Sequence, residues 1–258
     1  MLAGLALWPI DRALEVISGW RDIVDDAPHE LSTACVILTA PPEEFVPDHL
    51  TGQAALGMAV MYVGEPEAGV DVVQPLRDLA PEVDLIGPMP YTAFQAMLDP
   101  SLPHGMRSYW RGEYLNSLSD DAIRTFTAHA PGVQAVGIPF SQIGFFRLGQ
   151  AIRAVPDDAT SFSHRDAKYI LHPVSMWPDP ADDEQVISVN RALCETMRPF
   201  TTGAAYLNWT GEDRVREAFG EEKYARLVAL KDRYDPDNLF RLNQNIRPST
   251  HTGQPVPA

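Results

Sequence analysis

Tyr206 and Asn208, which stand two apart in the last quarter of the chain, are the first candidates for a catalytic site. We predict an extended run over residues 204–209, and alternate side chains of a strand point to the same face. The spacing therefore places a phenol and a carboxamide side by side. The alternative is that Tyr206 and the nearby Trp209 are aromatic residues of the core or its rim, with no chemical role.

A histidine on a second predicted strand is the next candidate. The run over residues 168–177 predicts a strand, on which His172 shares a face with Ile170. An unperturbed histidine titrates near neutral pH, so His172 could act as an acid or a base. The alternative is a partly buried histidine that makes one hydrogen bond. We expect His164 and Arg165, which precede the strand, to brace it.

Two asparagines close to the C-terminus form a third candidate group. Asn243 and Asn245 stand two apart in a segment that we predict to be extended, so their side chains would share a face. They could bond the backbone or a cofactor. Packing alone would explain both residues equally well, and the two interpretations stay open.

Several other kinds of site find no support in the sequence. It contains no H-E-x-x-H or C-x-x-C motif and no clustered histidines, so we expect no metal site. Gly-rich phosphate loops and the G-x-S-x-G elbow of hydrolases do not occur either. Cys35 and Cys194 are far apart in apolar runs, which predicts buried thiols, a reducing compartment and a cytoplasmic protein.

The charge of the chain excludes two classes of partner. A formal net charge of −15 argues against nucleic acid, which needs a basic surface, and against an anionic membrane. No run of about 18 apolar residues occurs, so we expect no spanning helix. Residues 1–10 lack the basic start of a signal peptide. A chain that opens directly into a predicted strand is what a truncation or a split gene would give.

The predicted order of elements, strand, helix, strand, strand, helix and strand, occurs twice along the chain. The strands are predicted over residues 2–8, 30–39, 54–63, 83–86, 107–115, 133–140, 168–177 and 204–209, and the helices over residues 11–25, 65–79, 119–130 and 182–200. This order predicts an α+β fold, one antiparallel sheet with helices on one face, built from two ferredoxin-like halves. The other face must meet solvent or cover something.

The end of the chain predicts a helix followed by an ordered turn. Residues 221–233 are rich in helix formers, and Pro236 stops the helix. The predicted apolar stripe of this helix comprises Tyr224, Leu227, Val228 and Leu230. Because Leu239 and Phe240 are apolar residues after a polar turn, we expect them to anchor the tail.

The same stretch resembles the C-terminal signature of the berberine-bridge-enzyme-like FAD-linked oxidases of the vanillyl-alcohol-oxidase superfamily. The positions that recur together are Tyr234-Asp235-Pro236, Asn238, Phe240, Asn243, Asn245 and Ile246. The run from Tyr206 to Trp209 also resembles the family, which usually has Tyr or His where this chain has Trp209. The resemblance implies catalytic roles for Tyr206 and His172. It implies that Asn208, Asn243 and Asn245 contact the cofactor.

For function, the resemblance implies a two-electron oxidation of a small organic substrate, with hydride transfer to FAD and O2 as the acceptor. Residues 1–200 would be a substrate-binding domain, residues 201–248 would pack on an FAD-binding domain, and residues 249–258 would be a disordered tail. The family's N-terminal FAD-binding domain has no counterpart in this sequence. The alternatives are a non-catalytic truncated domain, or one chain of a split oxidase whose FAD-binding domain is supplied in trans.

Overall fold

A single antiparallel sheet organises the chain in the computed structural model, which describes residues 1–101, 103–134, 141–211, 213–242 and 244–250. The strands of these residues are β1 Leu2–Pro9, β2 Leu31–Thr39, β3 Ala54–Tyr62, β4 Val83–Asp84, β5 Gly87–Pro88, β6 Arg107–Trp110, β7 Glu113–Leu115, β8 Gln142–Arg147 and β9 Tyr169–Trp177. Their order is β4-β1-β3-β2-β8-β9-β6, with β5 beside β1 and β7 beside β9. The predicted antiparallel α+β sheet is confirmed.

The helices connect these strands. They are α1 Ala13–Asp25, α2 Pro66–Arg77, α3 Tyr91–Ala96, α4 Asp120–Gln134, α5 Gln150–Arg153, α6 Asp183–Met197 and α7 Val215–Tyr234. In the first half the order is strand, helix, two strands, helix and strand, as in a ferredoxin-like unit. None of the helices in the described part of the chain has the length and apolar character that crossing a bilayer requires.

One face of the sheet carries the main core, and we call it the helical face. Trp8 of β1, Ile37 of β2 and Leu56 of β3 lie on this face and pack with Trp20 of α1 and Phe126 of α4. All five side chains are fully buried. Because burying one such side chain contributes about 1.5–3 kcal/mol, this layer holds the helices on the sheet.

The opposite side is the open face. The register of the five long strands places on it Ala3, Leu5, Leu7, Ser32, Ala34, Val36, Leu38, Ala55, Gly57, Ala59, Met61, Gln142, Gly144, Phe146, Ile170, His172, Val174 and Met176. None of these strand residues is Asp, Glu, Lys or Arg. Residues 40–50 cover one end of this face, and residues 204–209 cover the other. Leu38, Met61 and Phe146 stay half-buried.

The predicted strand over residues 133–140 was wrong at residues 133–134, which end helix α4, and residues 135–140 lie outside the described part of the chain. The next described strand is β8, which the sequence analysis did not predict. Gly144 made β8 hard to recognise, because glycine weakens a strand. It is needed there, since a Cβ at this position would lie 2.0 Å from the Cys35 carbonyl oxygen.

The predicted strand over residues 204–209 was wrong. Ala205 forms one isolated bridge with Glu113, and the chain then turns into a 3-10 helix over Leu207–Trp209. The bridge continues the edge of the sheet beside β7 for one residue only. The apolar composition of the run had predicted a longer strand.

Candidate functional site

Tyr206 and Asn208 still lie side by side, although they do not share a strand. The Tyr206 amide donates to the Gly112 carbonyl at 3.0 Å, and the Trp209 amide donates back to the Tyr206 carbonyl at 2.9 Å, which forms the turn. Within it, Asn208 Nδ2 donates to the Tyr206 hydroxyl oxygen at 3.1 Å. Because the phenol oxygen accepts this bond, its own proton can be donated to a different acceptor.

Gly112 allows this turn to lie against the sheet. A Cβ at position 112 would be 3.1 Å from Trp209 Cβ and 3.2 Å from Tyr206 Cβ, which is closer than ordinary packing. The turn can therefore pack against the sheet only because position 112 has no side chain. Nothing in the sequence alone links two positions that are almost a hundred residues apart.

Tyr206 stands among aromatic rings. Its ring centroid is 5.0 Å from that of Trp209, 5.9 Å from that of Phe162 and 6.2 Å from that of Tyr114, all in edge-on arrangements. Such edge-on pairs are favourable for aromatic side chains. Sequence analysis missed Phe162 and Tyr114, because no pattern in the chain connects them with Tyr206.

Trp209 joins Tyr206 to His172. The Trp209 and His172 rings are stacked, with centroids 4.2 Å apart and planes 15° apart, and the Phe146 ring meets Trp209 edge-on at 4.9 Å. The Trp110 ring meets the His172 ring edge-on, with centroids 5.7 Å apart. Tyr206 and His172 are therefore parts of one aromatic cluster on the open face.

The surroundings of His172 hold it in one neutral form. Its side chain is buried, and Nδ1 donates to the Arg111 carbonyl at 3.0 Å, which leaves Nε2 as an acceptor. Burial lowers the pKa of His172 to about 4. At neutral pH the ring is uncharged, which favours a hydrogen-bonding role over proton donation. Its role as an acid or base stays a prediction.

Asn245 of the tail lies elsewhere. Asn243 is outside the described residues. Asn245 lines a cavity of about 320 Å³, with Arg216, Tyr224 and Arg247 among its other walls. Its Oδ1 is buried and has no hydrogen-bond partner among the described residues. The structure thus does not bring Asn245 into the aromatic cluster, and its cofactor contact stays a prediction.

The first part of α7 is fastened to the rest of the protein. Lys223 Nζ donates to the Phe162 carbonyl at 2.7 Å and pairs with Asp157 at 2.9 Å. His164 Nε2 donates to the Glu217 carbonyl at 2.9 Å. His164 therefore braces α7 rather than strand β9. The helix is kinked at Gly220, where φ is +72°.

The last part of α7 and the turn after it have a different character. Asp235 accepts bonds from the Leu239 and Phe240 amides at 2.7 and 3.0 Å and pairs with Lys231, so the turn is fixed. The Lys231 bond lowers the pKa of the Asp235 carboxyl. The prediction that Leu239 and Phe240 anchor the tail was wrong, since their side chains are 72% and 79% exposed.

These residues belong to a larger exposed group. The terminal apolar surface, as we call it, comprises Leu230, Tyr234, Leu239, Phe240 and Leu242. Lys231 also donates to the Phe240 carbonyl at 2.6 Å, which holds the turn against the helix. Large apolar side chains that are held rigidly in solvent mark an interaction surface more often than a free one.

No metal centre is apparent among the described residues. They bring no three His, Cys, Asp or Glu side chains together as a metal site would. Cys35 and Cys194 are both buried, and neither forms a disulfide. Burial raises the pKa of the Cys35 thiol, which makes it a poor nucleophile.

The comparisons with known proteins agree with the terminal signature. The family described as berberine and berberine-like matches residues 204–247. An FAD-linked oxidoreductase of Dictyostelium discoideum is 28% identical over 229 residues, which are 86% of this chain and 46% of that protein. The chain thus spans about half the length of such a relative.

Solved structures share the fold. The wild-type BBE-like 1 protein of Physcomitrella patens superposes with a TM-score of 0.78 at 18% identity, over 97% of this chain and 54% of the other. The 6-hydroxy-D-nicotine oxidase of Arthrobacter nicotinovorans gives a TM-score of 0.73 at 20% identity, over 95% and 54%. Together with the sequence relatives, these matches confirm the resemblance that the terminal motif indicated.

Proposed function

We propose, on the premise that the chain is a member of the berberine-bridge-like FAD-linked oxidoreductases, that it is the substrate-binding half of an oxidase of a small organic molecule. The observation that carries the proposal is the open face of the sheet. This face is uncharged and mostly apolar along five strands, and it ends at the Tyr206–Asn208 pair. A face of this kind suits a flat, uncharged ring.

The residues present fit one part of FAD. The flavin ring is flat and uncharged with a polar edge, and the open face offers it apolar surface beside the Asn208 amide. The diphosphate of FAD calls for cations or a row of backbone N–H groups. The described strand residues of the open face include no Lys or Arg. We therefore assign to this chain a contact with the ring, made by Asn208.

FAD, when bound, supplies a two-electron acceptor that O2 then reoxidises. The substrate carbon would give up a hydride and the atom attached to it would give up a proton, so that a single bond becomes a double bond. The two electrons and two protons leave on O2 as hydrogen peroxide. Tyr206 would bind the substrate through its phenol, and Asn208 would hold that phenol in place through the 3.1 Å bond.

The division of the chain follows from the same proposal. Residues 1–200 form the substrate-binding domain, and residues 201–248 pack on an FAD-binding domain, which lies in the same protein or is supplied in trans. The rigid, exposed terminal apolar surface supports this packing. We also propose that the protein is cytoplasmic, which the two buried cysteines support because neither forms a disulfide.

The main alternative is an independent, non-catalytic domain. Such a module would meet solvent on the open face of its sheet, and that face would carry charge. The uncharged open face favours the oxidase instead. A split oxidase remains compatible with this face, because it needs the same surface for its partner.

An absorbance titration with FAD tests the proposal. We expect the chain to shift the flavin bands from those of free FAD, and Asn208→Ala to weaken the shift. Gln185→Ala, which removes an exposed amide from α6, is the matched control and should leave the shift unchanged. Flavin bands identical to those of free FAD with the unaltered chain would contradict the proposal.

A further inference from the structure

We propose that Glu113 is the positioning residue of the Tyr206–Asn208 site. Its buried carboxylate binds two arginine side chains and so fixes the loop over residues 203–214, which carries the site. This inference rests on the proposed function, because it concerns how the same site is held for the flavin ring. Glu113 acts through the two arginines and the backbone.

Glu113 is a buried carboxylate with two cationic partners. Its side chain is 5% exposed, and its Oε1 accepts bonds from Arg111 Nε at 2.6 Å and from Arg214 Nη1. The two arginine side chains are 15% and 13% exposed. Because charges are costly to take out of water, a buried ion pair is weak evidence for a role in stability. Such a group can instead fix one arrangement of the chain.

Arg214 closes the loop that carries the site. Its Nη2 donates to the Gly203 carbonyl at 2.8 Å, while its Nη1 donates to Glu113. The loop leaves the edge of the sheet at Gly203 and reaches the start of α7 at Arg214, so one guanidinium joins its two ends. The fork of a guanidinium presents its donors in fixed directions. It therefore holds the ends of the loop, with Tyr206 and Asn208 between them, in one geometry.

The backbone next to Glu113 holds the site as well. Two consecutive carbonyls do so. His172 Nδ1 donates to the Arg111 carbonyl at 3.0 Å, and the Tyr206 amide donates to the Gly112 carbonyl at 3.0 Å. Because the Arg111 side chain is bonded to Glu113, loss of the carboxylate would release the segment on which both bonds depend. The carboxylate thus sets the position of Tyr206 and His172 together.

The substitution Glu113→Gln tests this role, because it keeps the size of the side chain and removes its charge. Hydrogen bonds to a charged acceptor are the stronger ones, so both arginines should be held less firmly. We expect riboflavin, a flavin without phosphate groups, to bind at least about tenfold more weakly. In nitrogen NMR of the folded variant, His172 should lose the separate Nδ1–H and Nε2 signals of one fixed tautomer.

Two further variants separate geometry from charge. Arg214→Lys keeps the charge but replaces the fork with one ammonium group, so it should lose the link between Glu113 and Gly203. It should weaken riboflavin binding as Glu113→Gln does, and it decides the question if Glu113→Gln does not fold. Glu195→Gln is the matched control, since it removes an exposed carboxylate that pairs with Arg198 at 2.9 Å, and it should change nothing.

Unchanged His172 signals, or unchanged riboflavin affinity, in a variant that circular dichroism shows to be folded would overturn the proposal. Failure of the proposed function gives a different result. The unaltered chain would then bind no riboflavin, while altered His172 signals in Glu113→Gln and Arg214→Lys would still support the positioning role of Glu113.

Discussion

The two faces of the sheet differ in what covers them. The helical face stabilises the fold, and the open face carries the proposed function. On the helical face, Trp20 and Phe126 fill a core that the chain's own helices close. On the open face, the described loops cover the two ends and leave Leu38, Met61 and Phe146 half-buried. The chain completes the first face by itself, whereas the second is uncharged and incomplete, as a surface for a ligand and a partner would be.

Helix α7 repeats the contrast on a smaller scale. Before and just after the kink at Gly220 it is tied down by Lys223 and by the bond from His164. At the other end of the helix, Tyr234 is exposed, and so is Phe240 on the turn that follows, which Asp235 holds by hydrogen bonds. Rigid presentation lowers the entropy that a surface loses on binding.

The largest predicted effect lies in the core of the helical face. Trp20→Ala should cost about 3–5 kcal/mol in the free energy of unfolding, because it empties a fully buried site and removes the 2.9 Å bond to Thr33. Trp209→Ala on the open face should cost about 1–2 kcal/mol. Denaturant unfolding of both variants measures the difference, and equal losses would erase the distinction between the faces.

The next effect depends on pH. The pKa of His172 is lowered to about 4 in the folded protein, so the unfolded chain binds the proton more readily. Stability should therefore fall as the pH drops from about 6.5 to 4, by roughly 3 kcal/mol for this group. His172→Asn keeps a donor for the Arg111 carbonyl and should flatten that part of the unfolding profile. Identical pH profiles for the two proteins would show that His172 is not held neutral.

The smallest predicted effect on stability lies in the terminal apolar surface. Phe240→Ser should change the free energy of unfolding by less than about 0.5 kcal/mol, because the side chain is 79% exposed. Phe126→Ser, in the core, is the matched control and should be strongly destabilising. A large loss for Phe240→Ser would mean that the turn anchors the fold and is not an interaction surface.

Much of the fold could be predicted from the sequence, because apolar alternation and helical spacing are local properties. β1, β2, β3 and β9 lie within one or two residues of their predicted bounds. β8 was missed because Gly144 lowers its strand propensity, while its necessity depends on the neighbouring strand. The exposure of Leu239 and Phe240 could not be predicted either. The sequence does not distinguish an apolar residue that is buried within its own chain from one that is buried against a partner.

The site was only partly predictable. The terminal motif indicated Tyr206 and Asn208. Their side chains are adjacent, as predicted, although the residues lie in a turn and not in the predicted strand. The stacking of Trp209 on His172 depends on the pairing of β9 with its neighbours and on the close approach at Gly112. Such contacts join residues that are distant in the sequence, and no local pattern encodes them.

The most direct test of the central claim is a residue-resolved NMR titration with riboflavin, which presents the flavin ring without the diphosphate. The open face predicts shifts at Tyr206, Asn208 and Trp209, and unchanged signals at Gln185 on α6. Shifts confined to the helical side of the sheet, or no shifts, would contradict the claim that the open face binds the ring.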